Sequence, residues 1–128
     1  MGVSTDAYLF YGFVFYDSEE SIGEPPPWER HEDESSDPRW TDWERYCDAA
    51  TVARLKDLKI EINYHCHWDY PGYFICTKES FVFASRGYPQ VIESLDVPED
   101  ADTRLQLACE LLGIKFQKPK WIMASYWG

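Results

Sequence analysis

Runs of apolar residues predict most of the β-structure in this chain. Residues 7–16 form a continuous aromatic and apolar run of strand length, typical of a strand that is buried on both faces. Between residues 59 and 68, apolar and polar positions alternate with a period of two, which predicts a half-buried strand. A turn at residues 69–73 and a second apolar run at residues 73–85 complete a predicted hairpin.

Apolar positions spaced by three and four residues predict two helices. Asp37 and Pro38 form a helix-start signature, and the periodic positions that follow continue to about Asp57. A second helix begins near Pro98 and ends at Gly113, with one apolar face made by Ala101, Leu105, Ala108, Cys109 and Leu112. Residues 91–94 indicate a short strand ahead of this helix, and residues 121–127 a last strand.

These elements predict a single α+β domain over residues 1–128. The expected architecture is a four- to five-stranded, mainly antiparallel sheet with both helices packed on one face and a long acidic loop after the first strand. The length of 128 residues supports one core, and 45% hydrophobic and 17% aromatic residues exclude a wholly disordered chain.

The negative charge is concentrated in one stretch. The chain has 23 acidic and 12 basic residues, a net charge of -11. Residues 17–44 hold eleven of the acids and two of the bases, so they carry nine of the eleven net negative charges (11 − 2 = 9). Proline and glycine within residues 17–37 exclude a helix or a central strand there, which predicts a long acidic loop. The charge argues against binding to nucleic acid or to an anionic membrane.

This acidic loop is the candidate partner-binding site. Clustered carboxylates steer a basic protein toward the surface, and tryptophan side chains provide anchors. The predicted binding residues are Asp17, Glu19, Glu20, Trp28, Glu29, Glu32, Asp33, Glu34 and Trp40. The alternative interpretation is a solvated loop that keeps the protein soluble.

A histidine and cysteine cluster on the predicted hairpin is the alternative site. If the turn centres on Pro71 and Gly72, His67 lies opposite Cys76 and His65 lies opposite Lys78. His65, His67 and Cys76 would then share one face and offer three ligands suited to zinc, without an apparent fourth. The opposing interpretation is a strand with a polar outer face and a cysteine in the core.

The four cysteines suggest reduced thiols rather than disulfides. Residues 1–10 lack a basic region ahead of their apolar run, and no stretch has the length of a membrane span, so we expect an intracellular protein. Cys66 or Cys76 would need a histidine base nearby to act as a nucleophile, and neighbouring residues on one strand point to opposite faces. We therefore expect no enzymatic activity and no cofactor, zinc being the alternative.

Both ends of the chain resemble small uncharacterised proteins of tailed bacteriophages and prophages. The resemblance is carried by the starting run of Ser4, Thr5, Asp6, Ala7, Leu9, Tyr11 and Gly12, and by the closing run of Trp121, Ala124, Ser125, Tyr126, Trp127 and Gly128. Residues 86–97 also match, whereas the acidic, tryptophan-containing insert varies in that family. The resemblance implies a phage gene product in the cytoplasm of the bacterial host, and it transfers no catalytic or binding residue.

Charge and resemblance together favour an accessory protein that binds and modulates or inhibits a host protein with a basic surface. Defence or nucleic-acid-processing machinery is the expected target class, as for anti-CRISPR proteins. The alternatives are a small zinc-binding or hydrolytic protein and a component of the virion or its assembly. Tyr126 and Trp127 belong either to the core or to a self-association edge, which leaves a homodimer open.

Overall fold

The computed structural model describes residues 5–15, 43–66 and 71–127. The elements in chain order are strand β1 (Thr5–Val14), helix α1 (Trp43–Tyr46), helix α2 (Ala49–Asp57), strand β2 (Ile60–Cys66), strand β3 (Pro71–Thr77), a 3₁₀ turn (Lys78–Ser80), strand β4 (Val82–Ala84), helix α3 (Ala101–Leu112) and strand β5 (Lys120–Trp127). The predicted α+β class and the single domain are confirmed.

Strand β1 organises the sheet. One of its edges pairs antiparallel with β5 from Thr5 to Gly12. Its other edge pairs first with β4 and then, from Gly12 to Val14, with β3. Strand β2 pairs antiparallel with β3 and meets β5 in parallel at Cys66 and Tyr126. The pairings β1–β5, β5–β2, β2–β3 and β3–β1 therefore close into a ring, so the sheet is mixed and strongly curved.

One face of the sheet packs against the helices, as predicted. Leu55 of α2 and Leu105 of α3 are fully buried against Phe13, Ile62 and Ile75 of the strands. All five residues of the predicted apolar face of the second helix are buried. Gly113 ends α3 with φ 70°, and Ile114 N donates to Cys109 O at 3.0 Å, the closing hydrogen bond of a left-handed helix cap.

The predicted first helix is broken in two. Residues 37–42 lie outside the described residues, and α1 ends at Tyr46 before α2 begins at Ala49. The physical reason is an N-cap at Asp48, whose Oδ1 accepts a hydrogen bond from Thr51 N at 2.7 Å. This hydrogen bond lowers the pKa of the Asp48 carboxyl. The apolar spacing continues across the cap, which is why the sequence indicated one helix.

The predicted second strand of the hairpin is also interrupted. The 3₁₀ turn separates β3 from β4, where the sequence indicated one strand over residues 73–85. Ser80 stabilises the interruption, since its Oγ accepts from Tyr11 N at 2.9 Å and donates to Thr77 O at 2.8 Å. The strand predicted at residues 91–94 is wrong, because residues 88–98 form neither strand nor helix.

The other face of the sheet carries a second, aromatic core. Phe10, Phe74 and Cys76 are fully buried there, and the rings of Phe10 and Phe74 stack with centroids 4.1 Å apart. Gly12 lies on the same face, between Phe10 and Val14. A Cβ at Gly12 would lie 1.9 Å from Ile75 O and 2.7 Å from Cys76 Cα. The missing side chain therefore lets β1 and β3 approach closely.

Candidate functional site

The predicted partner-binding residues fall outside the described part of the chain. Those residues are Asp17, Glu19, Glu20, Trp28, Glu29, Glu32, Asp33, Glu34 and Trp40. Of the neighbouring positions that the structure describes, Trp43 packs against the helix-side core and Glu44 forms an ion pair with Lys56 at 3.6 Å. The acidic loop therefore stays a prediction from the sequence.

The hairpin register differs from the one that would gather the zinc ligands. Cys76 lies opposite Glu61, and His65 lies opposite Gly72 rather than Lys78, a difference of six positions (78 − 72 = 6). His65 and Cys76 share a face but are four positions apart along the hairpin, or about 13 Å. His67 lies outside the described residues. Among residues 5–15, 43–66 and 71–127, no three His, Cys, Asp or Glu residues gather as a metal site.

His65 instead takes part in the packing of the aromatic face. Its ring lies over Gly72, where an added Cβ would be 2.8 Å from Nε2, and its centroid is 6.2 Å from that of Phe74. Nε2 is buried and has no hydrogen-bond partner among the residues that the structure describes, and burial lowers the pKa of the imidazole. Gly72 provides the space for this ring. The sequence had suggested instead that Gly72 was needed for a turn.

We expect this histidine to make stability fall in mild acid. The pKa of His65 in the folded protein lies below the unfolded value of about 6.5. The stability that neutral His65 contributes is therefore complete above about pH 6.5 and is lost as the pH falls through the folded pKa. A His65→Phe variant keeps an aromatic ring over Gly72 and should lose less stability than the parent between about pH 7 and about pH 5. Urea unfolding at both values measures this difference, and equal losses in the two proteins would contradict it.

Cys76 and Cys109 are poorly placed for nucleophilic chemistry. Cys76 is fully buried, and burial, followed by the charge of Glu61, raises the pKa of its thiol. Burial likewise raises the pKa of Cys109 to about 12. Cys66 is half-buried with φ 77° at the end of β2, where it pairs with Tyr126. A reactive thiolate needs a lowered pKa and access to solvent, and Cys76 and Cys109 have neither.

Arg104 forms a structural network between the helices and the 3₁₀ turn. Its side chain is 11% exposed and makes two hydrogen bonds to Glu79, at 2.6 and 3.2 Å. A further hydrogen bond of 2.8 Å reaches Leu58 O at the end of α2, and Asp100 lies 3.3 Å from Nε. The Arg104 guanidinium lowers the pKa of the Glu79 carboxyl. Since every partner belongs to the fold, this ion-pair network ties α3 to its neighbours.

An exposed apolar stretch follows β4, and we call residues 88–96 the exposed segment. Its apolar side chains are open to solvent, with exposed fractions of 71% for Tyr88, 86% for Val91, 41% for Ile92 and 51% for Leu95. A turn anchors its start, because Tyr88 N donates to Ser85 O at 2.8 Å and Arg86 N donates to Asp6 Oδ1 at 3.4 Å. The sequence pattern suggested a strand here, so this surface was missed.

A row of aromatic rings lies at the end of the sheet where β1 begins. Tyr8 stacks on Tyr126 with centroids 6.4 Å apart and an interplanar angle of 10°. Tyr126 meets Tyr64 at 5.6 Å, and Tyr8 meets Phe83 at 5.7 Å. Asp6 lies directly opposite Tyr126. We call Asp6, Tyr8, Tyr64 and Tyr126 the tyrosine–aspartate cluster.

Comparison of the chain with models of protein families, with curated proteins and with solved structures finds no match. Among the described helices, none combines the length and the apolar character that crossing a membrane requires. The elements and their pairings define the fold class as α+β.

Proposed function

We propose that this protein is a phage- or prophage-encoded accessory protein that binds, and thereby modulates or inhibits, a host bacterial protein with a basic surface. The observation that supports this most strongly is the exposed segment. Contiguous apolar side chains on the surface of a monomer are typical of an interaction site. The partner surface would bury Tyr88, Val91 and Leu95, which the fold itself leaves in water.

Burial of these side chains by a partner would favour binding. A fully buried valine, leucine or isoleucine side chain contributes about 1.5–3 kcal/mol relative to its exposed state. Association also costs translational freedom and the ordering of side chains, so only the surplus appears as affinity. The exposed segment has no strand or helix of its own, which suits it to an extended groove on the partner.

The charge around the exposed segment indicates the character of that groove. Between residues 88 and 103 the chain carries five acidic residues and no basic one: Glu93, Asp96, Glu99, Asp100 and Asp102. Asp100 pairs with Arg104, and Asp102 accepts a hydrogen bond from Tyr11, whereas Glu93 and Asp96 lie within the exposed segment itself. A basic partner would complement both this stretch and the acidic loop, and electrostatic attraction would accelerate encounter.

Capture of partners from a bacterial lysate tests this function. We expect the parent protein to retain one abundant host protein in a manner that weakens as salt is added. A double variant, Val91→Ser with Ile92→Ser, and a charge-reversed loop, Glu32→Lys with Asp33→Lys and Glu34→Lys, should each reduce its recovery at least about tenfold. Leu107→Ser is the matched control, since Leu107 is 41% exposed on α3 and should leave recovery unchanged.

Unchanged recovery in both surface variants would contradict the proposal. Equal loss in the control variant would also contradict it, since binding would then depend on general surface hydrophobicity. Detection of the protein in purified phage particles, without any captured host protein, would favour the virion component instead.

A further inference from the structure

The tyrosine–aspartate cluster has the composition of a site for an organic cation. Its members come from β1, β2 and β5. The parallel pairing of β5 with β2, which joins Cys66 and Tyr126, brings these strands together. Asp6, Tyr8 and Tyr126 lie on one face of the β1–β5 pair, and Tyr64 joins them from the neighbouring strand. An aromatic ring attracts a cation to its face, and a carboxylate adds a full negative charge.

The polar groups of the cluster act on one another electrostatically. A side-chain hydrogen bond joins Tyr126 to Tyr64. Burial raises the pKa of Tyr8 to about 12, with smaller contributions from the charge of Asp6 and from Tyr126 and Tyr64. The pKa of Tyr126 is raised as well. Burial is the largest cause, and Tyr64 and Asp6 contribute less. The phenols of Tyr8 and Tyr126 therefore stay neutral at physiological pH, and the carboxylate favours a positive charge beside them.

The cluster can be reached from solvent. Tyr64 is 39% exposed and Phe83, at the other end of the aromatic row, is 43% exposed, while Asp6, Tyr8 and Tyr126 are half-buried. Partial burial strengthens a cation–π contact, because water screens the attraction between the cation and the ring less than it does at an exposed site. A flat cation with several donors fits stacked rings beside a carboxylate better than a compact one does.

We infer that the tyrosine–aspartate cluster binds an arginine side chain of the basic partner, with the guanidinium against the tyrosine rings and its N–H groups donating to Asp6. Arginine stacks on aromatic faces and forms charge-assisted hydrogen bonds with carboxylates. Asp6 accepts a hydrogen bond from Arg86 N, which starts the turn ahead of the exposed segment. Asp6 therefore links the cluster to the start of the exposed segment, and a single partner could contact both surfaces.

This inference rests on the proposed function for the identity of the partner, but its test does not need the partner. Nα-acetyl-arginine amide is titrated into the full chain at constant ionic strength, and ¹³C-tyrosine and backbone amide NMR signals are followed. We expect saturable shifts at Asp6, Tyr8, Tyr64 and Tyr126, with a Kd on the order of 1 mM. Nα-acetyl-citrulline amide, which has nearly the same shape and no charge, should bind at least about tenfold more weakly.

Two variants locate the effect. Asp6→Asn preserves the size of the side chain and should weaken the binding of the arginine probe at least about fivefold. Glu110→Gln removes an exposed carboxylate on α3, outside both the cluster and the exposed segment, and should leave the titration unchanged. The inference is overturned if the citrulline probe produces equal shifts, if the shifts fail to saturate, or if they occur at residues 93–102 instead. A failed titration with intact capture from lysate would refute the arginine site alone, whereas failed capture with a successful titration would refute the proposed partner.

Discussion

A Gly12→Ala variant will be less stable than the parent by about 3 kcal/mol or more, which is at the upper end of the cost of overpacking a core. The added methyl would lie 1.9 Å from Ile75 O and 2.7 Å from Cys76 Cα, and both are backbone atoms. Backbone atoms cannot rotate away as a side chain can, so β3 would have to move away from β1. That movement would break the β1–β3 pairing that closes the ring of strands.

Urea unfolding followed by circular dichroism measures this loss. Gly87→Ala is the matched control, because Gly87 has φ 80° and nothing within 4 Å of an added Cβ. Its cost should be only that of a left-handed backbone, about 1–2 kcal/mol. A Gly12→Ala protein as stable as the parent, or no less stable than Gly87→Ala, would mean that β1 and β3 do not approach as described.

Phe74→Ala will cost about 3–5 kcal/mol, the usual range for removing a fully buried aromatic side chain. Phe74 is fully buried and stacks on Phe10, and its ring also lies 5.9 Å from that of Phe81. Its removal leaves a cavity in the middle of the aromatic core, where the ring of strands limits collapse. Stability should therefore fall by more than the transfer free energy of the side chain alone.

The matched variant is Phe83→Ala, on the neighbouring strand β4. Phe83 is 43% exposed and contacts Tyr8, so its removal should cost only about 1 kcal/mol. Thermal or urea unfolding of the two variants compares the losses under the same conditions. Equal losses would show that the aromatic face of the sheet is not a closed core.

Periodicity and the C-terminal glycine were sufficient to predict the buried face and the end of α3, whereas its start was wrong: the helix begins at Ala101 rather than near Pro98. The five apolar positions from Ala101 to Leu112 repeat with helical spacing, and Gly113 supplies the left-handed residue that ends the helix. The break between α1 and α2 was missed because the apolar spacing crosses it. A single side-chain hydrogen bond, from Thr51 N to Asp48, decides that boundary.

The hairpin shows what a period of two cannot determine. A register shift of six positions keeps every side chain on its own face, so the faces of β2 were predicted while its partners were wrong. Pro71 and Gly72 suggested a turn from their residue types, yet they lie in β3 opposite Cys66 and His65. The choice of register depends on contacts that the local pattern does not contain.

The surfaces that support the functional proposals were only partly visible in the sequence. Charge counting drew attention to residues 17–44, whereas the exposed segment had a strand-like pattern and was assigned to the fold. The tyrosine–aspartate cluster joins residues 6, 64 and 126, which no local motif connects. Its assembly follows from the closed ring of strands, and that closure becomes evident only when the pairings are known.

One binding measurement can show whether the acidic loop and the exposed segment bind a basic host protein. The captured host protein is purified, and its affinity is compared for the parent and for a variant in which all eleven acids of residues 17–44 become Asn or Gln and Val91 and Ile92 become Ser. We expect a loss of at least about a hundredfold, smaller at high salt because the charge contribution is screened. An unchanged Kd with a folded variant would contradict it.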